Sequence, residues 1–137
     1  MNIQLTQETA HQLELGDIIK LDLDPTVGHE QQSKRPCIVL SVQPWNQVIR
    51  GFVFVVPLTG TVHPNPNSLY PRLEKHQTDC GVYGTALLDQ IRSIDCLGRK
   101  GTLIGKVTDP QVIDDLRMSV CQIMGVGPDF FPVENDE

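Results

Sequence analysis

The sequence predicts a mainly β fold, a small, curved, mostly antiparallel barrel closed by one C-terminal helix. Three observations lead there: several apolar runs too short to be helices, turn residues between them, and one stretch of helical period near the C-terminus. With 137 residues the chain has the length of one domain, enough to bury roughly two thirds of its unfolded surface in a single core.

The first strand is predicted in the run DIIKLDLD from residue 17, where Ile19, Leu21 and Leu23 alternate with Ile18, Lys20 and Asp22. That alternation marks a half-buried strand. Residues 36–42 (PCIVLSV) and 51–56 (GFVFVV) are rich in β-branched and aromatic side chains, and the tetrapeptide Gln43-Pro44-Trp45-Asn46 reads as a turn between them. Residues 61–84 carry prolines and asparagines early and read as mostly loop, with a short strand placed near 69–73. Residues 85–88 and 90–94 form one further strand candidate and residues 101–107 the next, joined by the Gly98-Arg99-Lys100-Gly101 turn.

The helix begins with Asp109 as cap and Pro110 in the first turn, with Asp114 and Asp115 near the positive end of its dipole. Val112, Ile113, Leu116, Val120, Ile123 and Met124 recur at helical spacing until Gly125 stops it. Leu116, Val120 and the run at 53–56 are expected in the core.

The longest apolar run, residues 51–57, is far shorter than a membrane span. The first 17 residues have no basic start and no apolar centre, so a soluble, cytoplasmic protein without a secretory signal or membrane partner is expected. Cys37, Cys80, Cys96 and Cys121 form no C-x-x-C pair and no zinc spacing, which predicts buried free thiols, no metal site and no cofactor.

The formal net charge of −6 is unevenly spread. Residues 1–33 hold one base and six acids, and residues 107–137 one base and seven acids; residues 34–106 hold nine bases and four acids, a net of +5. A basic centre in an acidic molecule suits a polyanion, although scattered solvated charges have the same composition.

The connection between the first two strands, D-P-T-V-G-H-E-Q-Q-S-K-R-P over residues 24–36, is richer than a turn requires. Glu30 can take a proton from an alcohol, His29 titrates near neutrality, and the planar fork of Arg35 can hold two phosphate oxygens. A base, a titratable ring and a bidentate cation suit RNA transesterification, in which a 2′-hydroxyl attacks phosphorus and a charged phosphorane needs stabilising. The same residue types also suit an exposed ion pair beside a solvated histidine. Trp45 can stack a base, or pack on its own barrel or on a second copy.

The stretch GDIIKLDLDPTVGHEQQSKRP at 16–36 resembles the opening of the MazF/PemK/Kid family of toxin endoribonucleases. VVPLT at 55–59, ALLDQIRSID at 86–95 and GRKGT at 98–102 follow in the family's order. The resemblance covers roughly residues 16–124, leaving an N-terminal extension at 1–15 and an acidic tail at 126–137. It implies an SH3-like barrel of the CcdB/MazF type, acting as a homodimer that cuts single-stranded RNA without metal, leaving 2′,3′-cyclic phosphate and 5′-hydroxyl ends. It also implies a cognate antitoxin whose acidic segment covers the RNA groove.

By resemblance, Glu30 and Arg35 match the family's catalytic loop pair, and His29 the histidine of the Kid/PemK branch. Thr59 matches an RNA-facing threonine, and Asp89 the aspartate that serves that branch as base. The branch has an arginine two positions before its aspartate, where this chain has Leu87. The expected roles are therefore Glu30 as base, Arg35 as phosphorane stabiliser and His29 as acid, with Asp89 a rival base. Thr59, Gln90 and Arg92 would hold substrate. The alternatives are a CcdB-like gyrase inhibitor and a family member that binds RNA without cleaving it.

Overall fold

A computed structural model of the chain describes residues 2–23, 34–48, 51–60 and 70–127. Strand β1 is Ile3–Gln4, followed by the one-turn helix α1 (Gln7–Ala10), β2 (Asp17–Asp22), β3 (Lys34–Val39) and helix α2 (Gln43–Val48). Next come β4 (Phe52–Thr59), β5 (Arg72–Leu73), β6 (Gly84–Ala86), β7 (Arg92–Asp95), β8 (Thr102–Lys106) and helix α3 (Pro110–Ile123). The strands form one antiparallel sheet in the order β1-β8-β2-β3-β4-β6-β5, with β7 also on β4. The sheet curls on itself, because a bridge between Thr78 and Val107 brings the chain just after β5 beside the end of β8.

The three central strands carry buried residues on both faces, although Phe52 and Phe54 of β4 are exposed, the latter against the expectation for the run at 53–56. On one face Ile19, Leu21, Leu23, Cys37, Val39, Val53 and Val55 meet Ile94 and Cys96. On the other, Ile18, Ile38, Val56 and Leu58 pack beneath Leu116 of α3, with Val112, Ile113 and Val120 against them. Ile18, which alternation alone would put outside with Lys20, is therefore buried.

Leu5, Ala10 and Leu13 complete the first core. The segment before residue 16 is thus part of the packing, with β1 adding a strand to β8 and Thr6 closing a capping box with Thr9.

Two element assignments also need correction. The turn placed at residues 43–46 is the start of α2: Pro44 sits in the first turn, where its missing N–H costs nothing, and Asn46 N–H donates to the Val42 carbonyl at 3.0 Å. Asn46 is buried, donating to the carbonyls of Leu13 at 2.8 Å and Ser41 at 3.1 Å and accepting from the Ser41 hydroxyl at 2.6 Å. The single strand candidate over 85–94 is two strands with a 3₁₀ turn, Leu88–Gln90, between them. From Leu58↔Ala86 to Val55↔Arg92, β4 advances three residues while its partner advances six, so the turn absorbs three residues.

The helix follows expectation. Asp109 caps it by accepting from Gln111 N–H at 3.0 Å. Gly125, at φ +73°, ends it in a Schellman arrangement, with Val126 N–H on the Cys121 carbonyl at 2.7 Å and Gly125 N–H on that of Gln122 at 3.2 Å. Ile123 and Met124, which share its apolar spacing, are exposed.

Candidate nucleic-acid interface

Antiparallel register decides which side chains share a face. Arg35 lies opposite Leu21 on β2 and two residues before Cys37, so it stands on the face of the first core, at its rim. Cys37 pairs with Pro57, and continuing that register outward brings Arg35 level with Thr59. Thr59 pairs with Thr85, and Thr85 with Arg72. Arg35, Thr59, Thr85 and Arg72 thus run as a row across β3, β4, β6 and β5, with adjacent strands about 5 Å apart. Thr85 is buried, Arg35 and Thr59 are half-buried, and Arg72 is exposed.

Gly84 lets β6 lie this close to β4. It adopts φ +146°, and a Cβ there would collide with the carbonyl oxygen of Thr59.

Arg92 joins the group from β7. It pairs with Val55, placing it on the same face, and its charge opposes the ionisation cost of Cys37. Burial nevertheless pushes that thiol up to about 12. Arg92 Nη1 donates to the Leu23 carbonyl at 3.2 Å. One residue earlier, Arg99 Nη1 donates to the Asp22 carbonyl at 3.0 Å. The last described residues before position 24 are therefore held by two guanidinium groups, and the chain re-enters at Lys34 and Arg35, on the rim. His29 and Glu30, the expected acid and base, lie outside the described residues.

Asp89 and Gln90 occupy the 3₁₀ turn on the opposite edge of β4 from Arg35, where Leu87 N–H donates to the Pro57 carbonyl at 3.0 Å. Asp89 is exposed, and its Oδ2 accepts from the Tyr70 hydroxyl at 2.9 Å. Leu87 is buried, with 8% exposure, so this position contributes packing to the turn. The structure thus gathers Arg35, Thr59 and Arg92 on one face, with Asp89 and Gln90 one strand away.

Tyr70 and Arg72 were missed by the sequence reading. Their signal was weak: a Tyr-Pro-Arg triplet at the end of a loop-rich stretch. Arg72 also pairs with Glu74 at 2.8 Å, an exposed contact worth little in stability.

Trp45 lies elsewhere, its ring tilted by 40° against that of Phe54 at 6.2 Å, beside an apolar groove of about 440 Å³ that Leu40, Val42 and Arg117 also line. All four cysteines are free; Cys37 and Cys96 are buried, whereas Cys80 and Cys121 are half-buried. Among the described residues no group of three or more His, Cys, Asp or Glu is placed to hold a metal ion, and no helix is long and apolar enough to cross a membrane.

Comparison with known proteins agrees with the fold. The Endoribonuclease toxin ChpB of Escherichia coli (strain K12) is 36% identical over 108 residues, covering 77% of this chain and 89% of that protein. MazF from Deinococcus radiodurans superimposes with a TM-score of 0.71 at 26% identity, covering 83% of this chain and 97% of that one. In a MazE-MazF structure from the same organism the values are 0.68 and 25%, with 84% and 98% covered. The family model described as "PemK-like, MazF-like toxin of type II toxin-antitoxin system" matches residues 14–124, and the chain belongs to that family.

Proposed function

We propose that this protein is the endoribonuclease toxin of a type II toxin-antitoxin module and cleaves single-stranded RNA by 2′-hydroxyl transesterification. The observation that carries the reading is the gathering of Arg35, Thr59 and Arg92 on one face, with Arg35 and Thr59 level with each other at its rim and Arg92 reaching the Leu23 carbonyl. Two guanidinium groups and a hydroxyl suit a phosphodiester backbone, for which affinity is mostly electrostatic.

In this mechanism Glu30 removes the 2′-hydroxyl proton and Arg35 stabilises the phosphorane oxygens. His29 protonates the departing 5′-oxygen, giving a 2′,3′-cyclic phosphate and a 5′-hydroxyl. Thr59, Gln90 and Arg92 hold the strand. Asp89 is the competing base, its carboxylate exposed one strand from Arg35. The chemistry uses side chains alone, without metal or cofactor. A single strand is required because a duplex hides its base edges and resists in-line geometry.

The partners that fit are a cognate antitoxin, whose acidic segment would cover the basic rim in the cytoplasm, and a second copy of the chain. Support for a protein partner is the +5 charge of residues 34–106, the toxin-antitoxin family that the chain belongs to, and the MazE-MazF structure it resembles.

The test is incubation of the purified protein with mixed single-stranded RNA in EDTA. New fragments with 5′-hydroxyl ends are expected. Intact RNA beside inhibited DNA supercoiling would replace this reading with a CcdB-like gyrase poison, and a shifted but uncut RNA with a binding-only protein.

A further inference from the structure

Asp89 has a partner that sequence pattern did not suggest. The hydroxyl of Tyr70 donates to Asp89 Oδ2 at 2.9 Å, joining residues 19 positions apart. We propose that Tyr70 is a positioning residue of the RNA-cleaving site, holding the Asp89 carboxylate in the orientation from which it meets the substrate. This rests on the reading of Asp89 as part of that site.

The backbone on both sides is held by short bonds. Ala86 N–H donates to the Pro71 carbonyl at 2.9 Å, which sets Tyr70 beside the start of the 3₁₀ turn. β5 and β6 pair through Arg72↔Thr85 and Leu73↔Gly84. Leu87 N–H is bound to Pro57, and Leu88 is buried with 1% exposure, so the turn carrying Asp89 is anchored at its base. Only the exposed carboxylate has rotational freedom, and the phenol restricts it.

The chemistry of the pair suits this role. Leu87, buried and apolar, offers no donor to Asp89, so orientation comes from across the sheet. A phenol orients the carboxylate without neutralising it, and a carboxylate has about four acceptor positions, of which the hydroxyl occupies one. The rest can accept from a ribose hydroxyl or from the N–H edge of a base. Tyr70 remains a donor across the physiological range, because the hydrogen bond to Asp89 and then its negative charge push the phenol above its ordinary value.

The experiment uses the purified full chain with Tyr70→Phe, Asp89→Ala and both together. A single-stranded RNA oligonucleotide is the substrate, with kcat, KM and the urea midpoint measured for each protein. Tyr70→Phe is expected to lower kcat about tenfold while leaving KM and the midpoint within error. In the Asp89→Ala background it should add nothing. Alkaline absorbance titration of the two tyrosines, Tyr70 and Tyr83, should show one phenol ionising late, returning to the ordinary range in Asp89→Ala.

Equal losses in both backgrounds, or an unchanged kcat in Tyr70→Phe, would overturn the proposal. So would an Asp89→Ala enzyme as fast as wild type, which would also remove Asp89 from the site. A wild-type protein that cuts no RNA would overturn the nuclease reading and this proposal together. The wild-type reaction therefore distinguishes that failure from failure of Tyr70 alone.

Discussion

Arg92 Nη1 donates to the carbonyl of Leu23 at 3.2 Å, tying β7 to the end of β2 across 69 positions of sequence. Arg92 shares a face with Arg35 and Thr59, so it has a structural partner as well as a place in the proposed RNA-binding face. Arg92→Ala should therefore lower stability by about 1–2 kcal/mol as well as slow cleavage. A urea titration checks this: a residue that touched only RNA would leave the midpoint where it was.

Gly84→Ala should be costly for a different reason. The backbone there is at φ +146°, and an added Cβ would collide with the Thr59 carbonyl. Strain and displacement together predict a loss of about 2 kcal/mol or more. Because the displaced strand carries Thr85 and flanks Thr59, RNA affinity measured by titration at constant salt should fall as well.

Asn46→Leu removes the partner of three groups at once: the carbonyls of Leu13 and Ser41 and the Ser41 hydroxyl. The carbonyls would remain buried without a donor, predicting about 2–3 kcal/mol of destabilisation in a denaturant titration. Since Asn46 ties α2 to the chain at Leu13, amide hydrogen exchange in residues 5–13 should rise with it.

These positions mark the limit of what sequence could reveal. The central strands were legible because Ile19, Leu21, Leu23, Val53, Val55 and Val56 form β-branched or aliphatic runs bounded by turn residues, and α3 because both its caps are written in Asp109 and Gly125. The N-terminal packing was not, since Leu5, Ala10 and Leu13 sit on elements too short to generate a period. α2 was hidden by Pro44, which reads as a turn although it is tolerated in a helix's first turn. At the candidate site, Arg35 was singled out by the residue types of its loop and Asp89 by the order of family motifs. Tyr70 was not, because its link to Asp89 depends on the β5–β6 pairing.

The buried thiols predict an alkaline dependence of stability. Burial pushes Cys37 up to about 12 and Cys96 up to about 11 in the folded chain. Unfolded, both ionise near their ordinary value of about 8.5. Above that pH the unfolded chain holds fewer protons than the folded one, so stability should fall as pH rises from about 9 and level off beyond the folded values. Urea midpoints from pH 8 to 11 check this, and Cys37→Ala should flatten the decline. At pH 8, iodoacetamide should modify Cys80 and Cys121 well before Cys37 and Cys96.

The central claim is that Arg35 stabilises the phosphorane formed when Glu30 activates the 2′-hydroxyl. Its most direct test is the single-turnover cleavage rate of a single-stranded RNA by Arg35→Ala, in EDTA and at saturating protein. A loss of about a hundredfold or more is expected, with the urea midpoint retained. A rate equal to wild type, with the same products, would contradict it.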